Sequence, residues 1–132
     1  MTARILVIED NPTNLELMTY LLNAFGHTTL VARDGKEGVE AALRAIPDII
    51  LCDLALPEMD GYEVVRRLKG DARLNDVPII AVTASAMVGD REKVVLTGFD
   101  GYITKPITPE TFVQEVEGYL GRQARHGDDP GR

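Results

Sequence analysis

The sequence predicts an α/β fold: a doubly wound, five-stranded parallel sheet with five helices, in the order strand, helix, five times over. Three observations predict it. Five short apolar runs do not alternate, and four of them are rich in Ile, Val or Leu, as suits strands buried on both faces. Between successive runs lie stretches whose apolar residues recur at helical spacing, the pattern of βαβ units. The 132 residues, 45% of them apolar, suffice for one domain with one real core and leave little room for a second.

The first run is Ile5–Ile8. Asn11 and Pro12 follow, a capping residue and then the residue best tolerated at a helix start. Leu15, Met18, Leu21, Leu22 and Phe25 repeat at helical spacing until Gly26 stops them. The second run is Thr28–Ala32. Asp34-Gly35 reads as a turn, and Val39, Ala42, Leu43 and Ile46 form a helix ended by Pro47. The third run, Ile49–Cys52, leads into a longer loop from Leu54 to Asp60 that holds Pro57. Tyr62, Val65 and Leu68 then make an apolar stripe ending near Gly70, and the polar Asp71–Val77 reads as loop. After the fourth run, Ile79–Val82, a loop is expected over Ala84–Gly89 and a short helix over Asp90–Leu96, closed by Gly98. The fifth run, Tyr102–Thr104, is short and owes its assignment partly to its place in the order. Thr108-Pro109-Glu110 opens the last helix, with a stripe of Phe112, Val113, Val116 and Leu120. The domain is therefore expected over 1–121. Residues 122–132 have little to bury and are expected to form a disordered tail.

Composition excludes several functions. Acidic residues outnumber basic ones 21 to 14, for a formal charge of −7, and no basic cluster is denser than Arg66-Arg67. Nucleic-acid binding needs such clusters, so none is expected. No apolar run approaches the roughly 18 residues of a membrane span. The four apolar residues after Met-Thr-Ala-Arg are too few for a signal-peptide core, so a cytoplasmic protein is expected. Cys52 is the sole cysteine, reads as a small buried hydrophobe, and fits a reducing compartment. His27 and His126 are given no role.

The polar residues at the strand ends carry the chemistry. The first run ends in Glu9-Asp10, the third in Asp53, the fourth in Thr83 and the fifth in Thr104-Lys105-Pro106. In an open α/β sheet the carboxyl ends of the strands form the ligand crevice. Singly, each residue has an ordinary reading: Asp10 or Asn11 as a helix cap, Asp53 as a strand-end acid, Thr83 as a β-branched strand residue, Lys105 as a solvated lysine. Those readings leave their joint placement at four strand ends unexplained. Three adjacent carboxylates repel, by on the order of 4 kcal/mol per pair about 4 Å apart, and call for a proton or a hard cation. Mg²⁺ prefers such oxygen ligands. A cation, an ammonium and a hydroxyl together suit a transferring phosphoryl group. A carboxylate can accept that group as an aspartyl-phosphate. Asp53, central among the strand ends, is the chosen nucleophile.

In these residues the chain resembles the receiver domain of two-component response regulators, of the stand-alone, single-domain type, with a flavodoxin-like (βα)5 fold. The motifs are Ile5-Leu-Val-Ile-Glu9-Asp10-Asn11, Asp48-Ile-Ile-Leu-Cys-Asp53-Leu-Ala-Leu-Pro57-Glu-Met-Asp60-Gly61, Pro78-Ile-Ile-Ala-Val-Thr83-Ala84 and Gly101-Tyr102-Ile-Thr-Lys105-Pro106. The resemblance covers roughly residues 3–121. The resemblance implies that Asp53 takes a phosphoryl group from a phosphohistidine of a sensor histidine kinase or histidine phosphotransfer protein. It implies a Mg²⁺ (or Mn²⁺) ion bound by Asp10, Asp53 and the backbone carbonyl of Ala55, with Glu9 acting through a water. Lys105 would pair with the phosphoryl oxygens, next to a Lys105–Pro106 bond that is typically cis in the family. Thr83 would swing inward to the phosphoryl group and Tyr102 would follow as the switch aromatic. The face made by the fourth helix, fifth strand and fifth helix would select partners. The kinase or phosphotransfer helices would dock near Asn14, Leu17, Met18 and Pro106.

The resemblance also implies a protein that catalyses only its own phosphorylation and dephosphorylation, as a monomer or a phosphorylation-dependent dimer. Ala55 and Ser85 occupy the positions that tune phosphoryl lifetime in the family. Both are small and uncharged, so a lifetime neither very long nor very short is expected. The segment from Ser85 to Glu92 resembles receivers of hybrid kinases and of stand-alone cell-cycle or phosphorelay regulators. Twelve residues follow Leu120, too few for an effector module. Output is therefore expected through a protein partner or onward phosphotransfer. Three other readings compete. An aspartyl-nucleophile phosphohydrolase of the haloacid-dehalogenase type would carry an acid where Ala55 stands, and its nucleophile would end the first strand. A flavodoxin-like cofactor carrier would have a Gly-rich loop where Glu9-Asp10 stands. A receiver-like adaptor that is never phosphorylated would usually lack an acid or the lysine, whereas Glu9, Asp10, Asp53, Thr83 and Lys105 are all present.

Overall fold

The computed structural model describes residues 2–84 and 88–128. Its elements are β1 (Arg4–Ile8), α1 (Pro12–Ala24), β2 (Thr28–Ala32), α2 (Gly35–Ala45), β3 (Ile49–Asp53), α3 (Gly61–Lys69), β4 (Ile79–Thr83), α4 (Val88–Thr97), β5 (Gly101–Thr104) and α5 (Pro109–Asp128). The strands form one parallel sheet in the order β2-β1-β3-β4-β5.

The three central runs become buried strands because both faces of the sheet are covered there, while the edge strands β2 and β5 stay partly exposed. Side chains alternate across it with period two. Leu6, Ile8, Ile50, Cys52, Ile79 and Ala81 point into one core, with Val64, Val65 and Leu68 of α3. Ile5, Val7, Ile49, Leu51, Ile80 and Val82 point into the other, with Leu15, Met18 and Leu22 of α1 and Phe112, Val113 and Val116 of α5. The helices start where the sequence supplies caps. Asn11, Asp34 and Asp60 each accept a backbone N–H three residues on, from Asn14, Glu37 and Glu63, at 3.0, 2.8 and 3.0 Å. The choice between Asp10 and Asn11 is thereby resolved. Asn11 caps α1, and the exposed Asp10 is left beside the strand ends.

Several boundaries differ from the sequence reading. Asp34-Gly35 is not a free turn: Asp34 caps α2 and Gly35 is its first residue. The segment read as loop between α3 and β4 contains a 3₁₀ turn, Ala72–Leu74, capped by Asp71, and it buries Leu74 and Val77. Two apolar side chains in a polar stretch gave too little periodicity to register. Of the loop expected over Ala84–Gly89, residues 85–87, Ser85 included, lie outside the described residues, and Val88 and Gly89 already belong to α4. Helix α5 is assigned through Asp128. Residues such as Arg122, Gln123 and Ala124 are good helix formers that extend a helix once it has nucleated.

His27, given no role from sequence, is a buried tether. Its Nδ1 accepts the Ala3 N–H at 3.1 Å, which leaves Nε2 carrying the proton toward Glu117 Oε2 at 2.8 Å. One imidazole thus joins the start of β1, the entry to β2 and α5.

Candidate functional site

The strand order places the site. The chain leaves β1 for β2 on one side and returns for β3 on the other, so the sheet reverses direction between β1 and β3, where open α/β sheets hold ligands. Ile8 pairs with Cys52, so Glu9 and Asp53 follow side by side. Asp53 is level with Val82, Thr83 pairs with Thr104, and the Lys105 N–H donates to the Thr83 carbonyl at 2.8 Å. Residues far apart in sequence therefore reach one edge because four parallel strands end in register.

Glu9, Asp10 and Asp53 each offer a carboxylate oxygen, all within 4.8 Å of one another. Lys105 lies across them, its Nζ 2.9 Å from Glu9 Oε1 and 3.1 Å from Asp53 Oδ2. Asp53 Oδ1 accepts the Ala55 N–H at 3.1 Å, and Glu9 Oε2 accepts the Asn11 N–H at 3.1 Å. Glu9 is fully buried and Asp53 and Thr83 nearly so. Burial raises the Glu9 carboxyl above its ordinary range. The Lys105 ammonium opposes that rise and Asp53 adds to it. Burial alone would lower Lys105, but the Glu9 and Asp53 carboxylates outweigh it and hold the ammonium above its usual range. Three carboxylates and one ammonium leave two negative charges in excess. At this spacing each carboxylate pair repels by on the order of 3 kcal/mol.

This donor set fits a hard divalent cation. All three side chains offer oxygen, the oxygens converge, and the charge excess matches a doubly positive ion. Glu9 Oε1 is buried without a well-formed hydrogen bond, with the Lys105 ammonium at 2.9 Å and the Asp53 carboxylate nearby.

Beside the carboxylates lies a cavity of about 320 Å³ lined by Asp53, Leu54, Ala55, Tyr62, Thr83, Ala84, Asp90 and Lys105. Tyr62 and Asp90 were not picked out from sequence. Tyr62 sits at helical spacing in the α3 stripe and reads as core. Its ring does pack edge-on against Phe99, 6.2 Å between centroids, and Lys93 Nζ lies 4.4 Å from its centroid. Burial, then the Asp90 and Asp60 carboxylates, push its phenol up. Cys52 is buried as expected. Burial first, then the Asp53, Glu9 and Asp60 carboxylates, push its thiol up, so it stays an unreactive thiol.

Tyr102, expected to be the switch aromatic, is half-buried on the edge strand, with the Arg91 guanidinium 5.4 Å from its ring centroid. Its backbone is held from α5. The Tyr119 hydroxyl accepts the Tyr102 N–H at 3.3 Å and donates to the Tyr102 carbonyl at 3.2 Å. Gly101 makes room for this, since a Cβ there would lie 2.4 Å from the Tyr119 ring. The Lys105–Pro106 peptide is cis. Of the expected docking residues, Asn14 and Leu17 are half-buried and Pro106 is exposed. Met18 is a correction: it is 1% exposed and packs in the core with Leu15 and Leu22, one α1 stripe at i, i+3 and i+7, so it offers a partner no surface.

A family model described as "Response regulator receiver domain" matches residues 5–117. The chain is 42% identical over 121 residues to the polar-differentiation response regulator DivK of Brucella ovis, spanning 92% of this chain and 98% of the relative. DivK of Brucella anthropi is 41% identical over the same length. Among solved structures, the receiver domain of the sensor histidine kinase PA1611 from Pseudomonas aeruginosa, with magnesium coordinated in its active-site cleft, superposes with a TM-score of 0.83. It is 34% identical, with 92% of this chain and 99% of that one covered. The chemotaxis protein CheY4 of Vibrio cholerae gives 0.84 at 25% identity, covering 89% and 98%. With the acid cluster at the β1–β3 switch point and the family match over nearly its whole length, the chain belongs to the response regulator receiver domains of phosphorylation-based two-component signalling.

Proposed function

We propose that Asp53 accepts a phosphoryl group from a phosphohistidine of a sensor histidine kinase or histidine phosphotransfer protein, with Mg²⁺ or Mn²⁺ required. The phosphorylated chain then acts in the cytoplasm by binding a protein partner or by passing the group on. The observation that carries this reading is Asp53 itself. It is a nearly buried carboxylate with an ammonium 3.1 Å away and two further acids within 4.8 Å.

In the transfer, a carboxylate oxygen of Asp53 attacks phosphorus, the P–N bond breaks, and the imidazole keeps its electron pair. Asp10, Asp53 and the Ala55 carbonyl would hold the metal, with Glu9 acting through a water. When bound it supplies positive charge against the carboxylates and the phosphoryl oxygens. Lys105, already paired with Asp53, would exchange a carboxylate oxygen for a phosphoryl oxygen. The Thr83 hydroxyl would donate to another, and Tyr102 would rotate in behind it, the two-state element biased by the new charge.

Two results are expected. Mg²⁺ at about ten times its dissociation constant should stabilise the protein by about 1.4 kcal/mol, or roughly 5 °C for a chain of this size. Asp10→Asn should remove that shift and melt no lower than metal-free wild type, because one repulsive charge is gone. Thermal melts with and without MgCl₂ check both, and an undiminished shift in the variant would place the ion elsewhere. The test of the function is phosphotransfer itself. Label on a phosphorylated histidine phosphotransfer protein should move to the wild-type chain and be blocked by EDTA. Leu17→Glu should slow that transfer while sparing phosphorylation by a small donor. Equal loss from both donors would remove Leu17 from the docking surface, and no transfer to wild type from a panel of such donors would contradict the reading.

A further inference from the structure

The cavity beside Asp53 has two walls. One is the strand-end wall of Asp53, Ala55, Thr83, Ala84 and Lys105. The other is made by Tyr62 at the start of α3 and Asp90 in the first turn of α4. A phosphoryl group on Asp53 would project into this space. Its loss needs a water, and a water attacks faster when a base receives its proton. Among the described residues, the strand-end wall has no such base to spare. Ala55 and Ala84 bring only methyl groups, and Lys105 is an ammonium committed to Glu9 and Asp53. Thr83 carries only a hydroxyl, and Tyr62 only a phenol that its surroundings keep protonated. Among the described residues lining the cavity, Asp90 is the one carboxylate besides Asp53.

We propose that Asp90 sets the lifetime of the phosphorylated state by accepting the proton of the attacking water from the α4 side of the cavity. The inference rests on Asp53 being the phosphoacceptor. In the step, the water oxygen bonds to phosphorus and the bond from phosphorus to the Asp53 oxygen breaks, its electron pair returning to the Asp53 carboxylate. The water proton passes to Asp90 and on to solvent, and inorganic phosphate leaves. Among the described residues of that wall, Ala55 and Ala84 offer the water no polar side chain, so position 90 is the described place from which a carboxylate can guide it. An acid in the first turn of a helix also has an ordinary use, since it faces the positive end of the helix dipole. That use alone predicts a lower melting temperature on substitution and an unchanged phosphoryl lifetime.

The experiment phosphorylates the full chain with a small phosphodonor and MgCl₂, removes the donor, and follows decay by intact mass. Asp90→Asn and Asp90→Ser should each decay at least about tenfold more slowly than wild type, a floor below the usual general-base effects of about a hundredfold or more. Asp90→Glu should restore most of the rate. Wild-type decay should show a solvent deuterium isotope effect that shrinks in Asp90→Asn, a change that a merely structural role would not produce. Uptake followed by equal decay in wild type and both uncharged variants overturns the role of Asp90 alone. If wild type takes up no phosphoryl group, the phosphoacceptor reading falls and this inference falls with it.

Discussion

Asp53→Asn is expected to bring phosphoryl uptake to background while leaving the fold intact. The amide keeps the shape of the carboxylate, and its oxygen can still accept the Ala55 N–H now held at 3.1 Å. The carboxylate nucleophile is gone, so no acyl phosphate can form. Lys105 loses its partner at 3.1 Å but keeps Glu9 at 2.9 Å. The excess negative charge at the strand ends falls from two to one, so metal-free Asp53→Asn should melt at or above wild type. Phosphoryl uptake from histidine and small donors, read beside a thermal melt, checks both halves. Uptake by a folded Asp53→Asn protein would put the acceptor elsewhere.

Gly61→Ala is expected to damage both the fold and the site, although it adds one methyl group on the rim. A Cβ at Gly61 would lie 2.6 Å from the Asp53 carbonyl oxygen and 2.8 Å from Leu54 Cα. Those are backbone atoms and cannot rotate aside. The Gly61 N–H also donates to the Leu54 carbonyl at 3.0 Å, which holds the start of α3 against the end of β3. The strain should cost about 1–3 kcal/mol, or roughly 4–12 °C, and the relief must displace Asp53, so phosphorylation should slow as well. Gly118→Ala is the control: nothing lies within 4 Å of its added Cβ. In a helix that change should be neutral or stabilise by about 0.5–1 kcal/mol. Equal melting temperatures for Gly61→Ala and wild type would show that the α3 start yields freely.

How far the sequence carried differs from residue to residue, for physical reasons. The strands were legible because burial on both faces demands unbroken apolar runs such as Ile49–Cys52. Each run grew by at most one residue, and the added Asp53 and Thr83 are polar residues that the ladder still includes. The convergence of Glu9, Asp10, Asp53, Thr83 and Lys105 was legible because parallel strands of equal length end together. Tyr62 and Asp90 were hidden because their cavity lies between α3, α4 and the strand ends, a contact that no spacing along the chain encodes. Met18 misled for a related reason: an apolar residue on an amphipathic helix is either core or exposed apolar surface, and only the packing against α5 and the sheet decides. His27 carries no motif, and its three-way tether shows only when Ala3 and Glu117 are brought beside it.

The most direct test of the central claim is the intact mass of the wild-type chain after incubation with a small-molecule phosphodonor, with and without Mg²⁺. A gain of one phosphoryl group that requires Mg²⁺ is the predicted result. An unchanged mass, in protein that is folded and whose melting temperature still rises with Mg²⁺, would contradict phosphorylation at Asp53 and turn the reading toward an adaptor that binds its partners unmodified.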